Sequence, residues 1–214
     1  MEIKYFVRTT GERKLDESFN QIEYELLIDK EHKPITSFIA QLKYINEYNA
    51  ILLEDDVILC KDFKTKIEEV INQYKDDIIN FFTFPMDYFT TQYSFNFCYN
   101  QCTYYPKGLS EILANEMITC FKLYPDIRGY DCLENKVLNK LKLPHLQYRP
   151  CLVQHNDKKS LISFSSEGRI TPYFIDYLNE LKINYESKDT LIKRLDLLKL
   201  RNEHLNIRLN KKSS

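Results

Sequence analysis

The 214-residue sequence predicts an α/β sandwich in which a mainly parallel β-sheet is flanked by helices. Short apolar runs alternate with amphipathic helical patterns along most of the chain, as expected of consecutive β-α units. Several of these runs are apolar throughout, which is typical of strands buried on both faces. With 43% hydrophobic and 29% charged residues, the chain can form a substantial core beneath a polar surface.

The first half of the chain predicts three strands and two helices. The strands are residues 3–9, 23–28 and the continuous apolar run 50–53. The first helix opens near Pro34, a residue suited to a first helical turn, and its apolar face carries Phe38, Leu42 and Ile45. The second helix is indicated by apolar residues at offsets that fall on one helical face, namely Phe63, Ile67, Val70, Ile71 and Tyr74.

The second half continues the alternation. Strands are predicted at residues 78–84, where Pro85 ends the run, at 97–105 and at 148–154. One helix is expected to begin at Pro106, with an apolar face of Leu109, Ile112, Leu113, Met117 and Cys120. Another is expected to begin near Asp131, with Leu133, Val137, Leu138 and Leu141 facing the core.

The C-terminal segment differs from the rest. Residues 186–214 contain eight Lys or Arg and four Asp or Glu, and neither Gly nor Pro interrupts them. A 4-3-4-3-4 spacing relates Leu191, Leu195, Leu198, Asn202, Leu205 and Leu209. We therefore expect residues 1–185 to form one domain and residues 186–214 a basic amphipathic helix. Like charges would face each other in a dimeric coiled coil, so we expect a monomer whose helix docks on its own domain or on an acidic partner.

Charge and composition exclude several classes of protein. The chain has 30 basic and 31 acidic residues, a net charge of −1, which does not indicate a nucleic-acid partner. No apolar run approaches the ~18 residues of a membrane span, and the N-terminus lacks the features of a signal peptide. The six cysteines are expected to be free thiols in a reducing compartment. These features predict a cytoplasmic location in a bacterial or virus-infected cell, either free or peripheral to a membrane.

The strongest local signal is a run of three acids, Glu54, Asp55 and Asp56, directly after the buried strand 50–53. Ligands of open α/β sheets bind outside the carboxyl ends of the strands. Three adjacent negative charges favour a compensating cation, and a hard divalent ion whose shell is completed by phosphate oxygens is the natural candidate. The alternative is a solvated acidic turn that caps the next helix at Asp62.

Two further positions carry potential chemistry. His155 directly follows the late strand, where a neutral imidazole could bind a metal near Asp56, or could be an ordinary hydrogen-bonding histidine. Asp131 precedes a helical pattern, where it could act as a general base or simply as a helix N-cap.

These segments, in this order, resemble GT-A nucleotide-sugar glycosyltransferases. The stretch from Ile51 to Val57 resembles their strand-terminal DxD-type metal motif. Gly129-Tyr130-Asp131 resembles the segment that supplies a catalytic base in inverting members, and the stretch from Pro150 to His155 resembles the late strand ending in a metal-binding histidine. The resemblance covers about residues 1–165 and is nearest to compact family 25-like bacterial enzymes or virus-encoded ones.

The resemblance implies a Rossmann-like GT-A sandwich, a UDP-sugar donor and Mn²⁺ or Mg²⁺ at the diphosphate. Asp56 and His155 would be the protein's metal ligands, and Asp131 the base of an inverting transfer to a hydroxyl of a glycan, glycoprotein or glycolipid. The donor would be held by residues at the strand ends, namely Arg8, Thr9, Arg13, Asp29, Leu53, Glu54 and Asp55. Acceptor contacts are expected from the aromatic-rich residues 88–105.

Two other classes remain open at this point. In a non-catalytic interaction module, the acids would be a turn and the basic C-terminal helix would bind a membrane surface or an acidic partner. A nucleotidyltransferase could also use clustered acids to hold metals, but it would require more widely separated carboxylates than this sequence offers.

Overall fold

The computed structural model describes residues 1–83, 91–97, 99–156, 171 and 173–180. Their central feature is a seven-stranded sheet whose strands follow the order β2-β1-β3-β7-β5-β8-β6. The strands of this sheet are β1 (Ile3–Thr9), β2 (Tyr24–Ile28), β3 (Asn49–Glu54), β5 (Ile79–Asn80), β6 (Gln92–Ser94), β7 (Cys102–Tyr105) and β8 (His145–Gln147). Two further strands, β4 (Val57–Leu59) and β9 (Val153–His155), form a separate small sheet.

Helices cover both faces of the large sheet. The five α-helices among the described residues are α1 (Pro34–Tyr44), α2 (Phe63–Gln73), α3 (Leu109–Leu123), α4 (Tyr130–Leu141) and the short α5 (Ile175–Glu180). Successive side chains of β3 point to opposite faces, so Ile51 and Leu53 pack with α2 while Ala50 and Leu52 pack with α1, α3 and α4. All four are fully buried, as a strand with two covered faces requires.

The sheet is mixed, which refines the predicted mainly parallel arrangement. Strands β2, β1, β3, β5 and β8 run in one direction, whereas β7 and β6 run in the other. Three of the six strand pairings are consequently antiparallel. The pairing of β7 with β3 arises because residues 99–101 lie at the carboxyl end of β3, where Gln101 accepts a hydrogen bond from the Glu54 amide, and the chain then returns down the sheet.

The predicted elements with strong periodicity are confirmed. The structure has β1, β2, β3, α1, α2 and α4 within one residue or two of the predicted bounds. The three predictions in the second half of the sheet are wrong in length. Of the described residues in 78–84, only Ile79–Asn80 belong to a strand, and of those in 97–105 only Cys102–Tyr105, while residues 148–154 belong to no single strand. There β8 ends at Gln147 and β9 begins at Val153, with Pro150, which has no N–H to donate to a ladder, between them.

Helix α3 begins later than predicted. Gly108 has a φ of +86°, a left-handed conformation that an L-residue adopts only with strain, so the helix starts at Leu109 rather than at Pro106. Ile112 is 52% exposed, so its predicted place on the core face is also wrong. Of the other predicted core residues of α3, Leu113, Met117 and Cys120 are buried and Leu109 is partly buried.

Several predictions fall only partly within this description. The cysteines at 60, 102, 120, 132 and 151 are free, as expected, while Cys98 lies outside the described residues. The domain boundary at residue 185 and the basic helix of residues 186–214 also lie outside them. Where the structure does describe the chain, no helix combines the length and the apolar character needed to cross a bilayer.

Candidate active site

The carboxyl ends of three parallel strands bring the predicted donor-binding residues to one edge of the sheet. In the ladder, Arg8 of β1 is paired with Glu54 of β3, and Thr9 with Ile28 of β2. Asp29 follows β2 directly, and its amide donates a hydrogen bond of 2.8 Å to the Thr9 carbonyl. Parallel strands end on the same side of a sheet, and this edge is where ligands of open α/β sheets bind.

The small sheet explains how His155 reaches the acidic run. Antiparallel pairing of β4 and β9 sets His155 opposite Val57, the residue after Asp56. The Asn156 amide donates to the Asp56 carbonyl at 2.8 Å, and His155 Nε2 lies 3.3 Å from Asp56 Oδ2. The structure thus brings together the two predicted metal ligands, which lie 99 positions apart in the sequence.

The acids are buried, which contradicts the interpretation of this run as a solvated turn. Asp55 is 6% exposed and Asp56 5%. Asp62 is indeed the N-cap residue of α2, but its side chain makes no capping hydrogen bond. Buried carboxylates must be hydrogen-bonded or paired with positive charge, and Asp55 Oδ2 accepts a hydrogen bond of 2.6 Å from the Thr9 hydroxyl.

Arg13 supplies the positive charge at the acidic pair. Its Nη1 atom lies 3.1 Å from Asp55 Oδ1 and 2.9 Å from Asp56 Oδ2, and its side chain is largely buried. Burial alone would raise the pKa of Asp56, but the contact with His155 and the charge of Arg13 together hold that pKa below its ordinary value. Asp56 is therefore an anion at neutral pH.

The geometry of Asp56 fits a divalent cation that receives two ligands from the protein. Asp56 Oδ1 is buried and has no hydrogen-bond partner among the described residues, which leaves one carboxylate oxygen available next to His155. Across the described ranges, no three His, Cys, Asp or Glu side chains are arranged to hold a metal ion. The Asp56 and His155 pair would therefore need a bound ligand and water to complete a coordination shell.

Arg8 lies beside this centre and is held rigidly. Its Nε donates to Gln41 Oε1 at 2.6 Å, and its guanidinium stacks between the rings of Phe38 and Tyr130 at 4.7 and 4.1 Å. Burial lowers the pKa of Arg8, and the nearby Glu54 carboxylate, 3.6 Å from Nη1, opposes that effect. Glu54 also accepts a hydrogen bond from the Tyr130 hydroxyl, which joins the first turn of α4 to the end of β3.

Asp131 lies in that first turn but is not the helix N-cap. The N-cap is Gly129 and α4 begins at Tyr130, so Asp131 is the second residue of the helix. The alternative prediction that Asp131 is the N-cap is therefore wrong. The half-buried Asp131 folds back so that its Oδ1 accepts a hydrogen bond of 2.8 Å from the Cys132 amide. Its assignment as a base stays a prediction.

The remaining predicted contacts differ in their accessibility. Asp29 is half-buried, and its Oδ1 accepts a hydrogen bond of 3.2 Å from the Lys33 amide at the start of α1. The Leu53 side chain is fully buried in the core, so any contact of Leu53 with a nucleotide would come from its backbone.

Sequence analysis missed a buried polar network behind the site. Glu134 of α4 is fully buried, and its carboxylate accepts hydrogen bonds of 2.7 Å from the Tyr105 hydroxyl and from Asn100 Nδ2. Burial, with a smaller repulsion from Asp131, raises the pKa of Glu134 to about 8. The sequence does contain a pattern that could have predicted this burial. Glu134 lies three and four positions before the core residues Val137 and Leu138, a spacing that places all three on one face of α4.

Comparison with known proteins gives little beyond this geometry. No family model matches the chain, and no curated protein matches it. Among solved structures, the crystal structure of A197 from STIV is similar, with a TM-score of 0.46 and 15% sequence identity over 72% of this chain and 84% of that one. The functional proposal therefore depends on the residues of this chain.

Proposed function

We propose that this protein is a metal-dependent glycosyltransferase that moves a sugar from a UDP-sugar donor to an acceptor hydroxyl. One observation carries the proposal: at the carboxyl edge of the sheet, His155 meets a buried Asp56 that has one oxygen without a hydrogen bond from any residue the structure describes. Burying two adjacent carboxylates is costly for stability, and costly buried polar groups of this kind are typical of functional sites. The resemblance of the three short motifs to GT-A enzymes gives the reaction class.

The strand ends would hold the donor. Asp56 and His155 would bind Mn²⁺ or Mg²⁺, and Asp55 would contact the ribose or the donor sugar. Arg8, Thr9 and Arg13 would hold the nucleotide, and Asp29 would lie near the base. A bound cation would supply Lewis-acid stabilisation of the negative charge that develops on the departing UDP.

The first turn of α4 would supply the residue that activates the acceptor hydroxyl. Asp131 would take the proton from the acceptor hydroxyl, and that oxygen would attack the anomeric carbon from the face opposite UDP, which inverts the configuration. Glu134 is a poor candidate for this role because it is fully buried and both of its oxygens accept hydrogen bonds. The acceptor would be a glycan, glycoprotein or glycolipid, and the half-exposed rings of Tyr93 and Phe95 offer surfaces on which a sugar could stack.

The rival proposal, an interaction module, makes the acidic run a simple turn. The burial of Asp55 and Asp56 favours the enzyme, because a turn with no ligand to bind has no need to remove two adjacent carboxylates from water. The basic helix on which the rival depends lies outside the described residues. We expect the enzyme to act as a monomer without a nucleic-acid partner.

Calorimetric titration of UDP, with and without Mn²⁺, tests the proposal. We expect Mn²⁺-dependent binding that Asp56→Asn abolishes, since the amide keeps the shape but removes the charge. Asp62→Asn is the matched control, because the Asp62 side chain is 65% exposed and lies in the same stretch of chain. Unchanged Mn²⁺ dependence in Asp56→Asn would refute the metal assignment. Slow Mn²⁺-dependent hydrolysis of a UDP-sugar would distinguish the enzyme from a binding module.

A further inference from the structure

We propose that Arg13 is an internal counter-ion that competes with the divalent cation for Asp55 and Asp56. Cation binding would release the Arg13 guanidinium, which would then contact the donor diphosphate. This inference rests on the proposed function, and it adds a coupling between cation and nucleotide binding at the same site.

The acidic pair requires a positive charge in the state that the structure describes. Asp55 and Asp56 are adjacent and almost fully buried, and Arg13 Nη1 lies within 3.1 Å of an oxygen of each. Two buried carboxylates without a counter-charge would repel each other. The Arg13 contacts therefore compensate the negative charge of the pair and hold both side chains in position before a cation arrives.

A divalent cation and the Arg13 guanidinium cannot both keep their best positions. Both would be drawn to Asp56, whose Oδ2 already lies 2.9 Å from Arg13 and 3.3 Å from His155. Two cations that share one carboxylate would be about 4 Å apart, a distance at which they repel each other strongly inside a protein. Cation binding to Asp56 and His155 must therefore weaken the Arg13 contacts.

A comparison with Arg8 explains why Arg13 is the arginine that a bound cation would displace. Arg8 is wedged between Phe38 and Tyr130 and hydrogen-bonded to Gln41, so its guanidinium is fixed by contacts that a cation would not disturb. Arg13, in contrast, contacts both of the acids that the cation would bind. Arg13 lies outside the regular elements, between β1 and the 3-10 helix Glu17–Gln21.

The expected consequence is cooperative binding. Without nucleotide, the cation must displace Arg13 into water, which weakens its affinity. A diphosphate offers the released guanidinium a new anion, because arginine binds phosphate oxygens through paired hydrogen bonds. Nucleotide and cation should therefore strengthen each other's binding by the same factor, as thermodynamic linkage requires.

Mn²⁺ titration of the nucleotide-free protein tests this inference, with free Mn²⁺ measured by electron paramagnetic resonance. We expect Arg13→Met to bind Mn²⁺ at least tenfold more tightly than the wild type in the absence of UDP. UDP should also improve Mn²⁺ affinity by a smaller factor in Arg13→Met than in the wild type. Lys14→Met is the matched control, because it removes a positive charge from the adjacent exposed position and should leave Mn²⁺ binding within twofold.

A second variant protects the test against misfolding. Arg13→Lys keeps the charge on a single ammonium group that pairs less well with two carboxylates, so its Mn²⁺ affinity should lie between those of wild type and Arg13→Met. Equal or weaker Mn²⁺ binding in both Arg13 variants would overturn the inference while leaving the proposed enzyme intact. If no form of the protein binds Mn²⁺ with or without UDP, the proposed metal dependence fails together with the inference.

Discussion

Glu134 should make the stability of the protein strongly dependent on pH. The pKa of Glu134 is about 8 in the folded protein, compared with an ordinary 4.5. Between these values the unfolded chain has released the proton while the folded protein retains it, so the free energy of unfolding falls as the pH rises. The slope reaches about 1.4 kcal/mol per pH unit midway between the two pKa values and is smaller near each of them, so the loss between pH 5 and pH 8 is about 3 to 4 kcal/mol. The contribution is fully present below pH 4.5 and is lost as the pH passes through 8.

Urea denaturation of wild type and Glu134→Gln at several pH values isolates this contribution. Glutamine resembles the protonated carboxyl group in size and still offers an oxygen to Asn100 Nδ2, while its amide can donate to the Tyr105 hydroxyl. We expect the difference in unfolding free energy between the variant and the wild type to grow by about 3 to 4 kcal/mol in favour of the variant from pH 5 to pH 8. Glu69→Gln, an exposed change in α2, controls for the altered net charge. Parallel pH profiles for wild type and Glu134→Gln would show that Glu134 titrates normally and would refute the reasoning.

Two further predictions concern other charged groups. Asp131→Asn should reduce sugar transfer by at least ~10²-fold, the usual scale of general-base catalysis, while UDP affinity measured by calorimetry stays within a few-fold. Transfer at the wild-type rate would show that another residue is the base. An NMR spectrum of the product would show whether the anomeric configuration is inverted or retained. Arg149→Met should keep or raise the free energy of unfolding, because two nitrogens of the buried guanidinium, Nε and Nη2, have no hydrogen-bond partner among the described residues, and burying a charge without full hydrogen bonding is costly. A loss of more than ~1 kcal/mol in thermal or urea denaturation would show that Arg149 has a compensating charge.

The spacing of apolar residues was sufficient to predict the helices and strands whose hydrophobic pattern is uninterrupted. The all-apolar run around Leu52 predicts a strand covered on both faces, and the structure buries it fully in β3. The spacing of Phe63, Ile67 and Val70 predicts α2, since a helix requires one apolar stripe and little else. Gly108 shows the limit of such patterns: the apolar stripe of α3 does not reveal that the backbone turns left-handed before Leu109.

The order of residues alone shows that three acids follow a buried strand and that a histidine follows a later one. That Asp56 and His155 meet could not be predicted from this order, because the pairing of β4 with β9 depends on burial and register between segments far apart in the chain. The ion pairs of Arg13 also could not be predicted, because Arg13 lies in an irregular segment without hydrophobic periodicity. The raised pKa of Glu134 depends on the apolar surroundings that α4 acquires when it packs on the sheet. The sequence shows which ionisable side chains are present. Their ionisation and their ion pairs depend on neighbours that folding brings within a few ångströms.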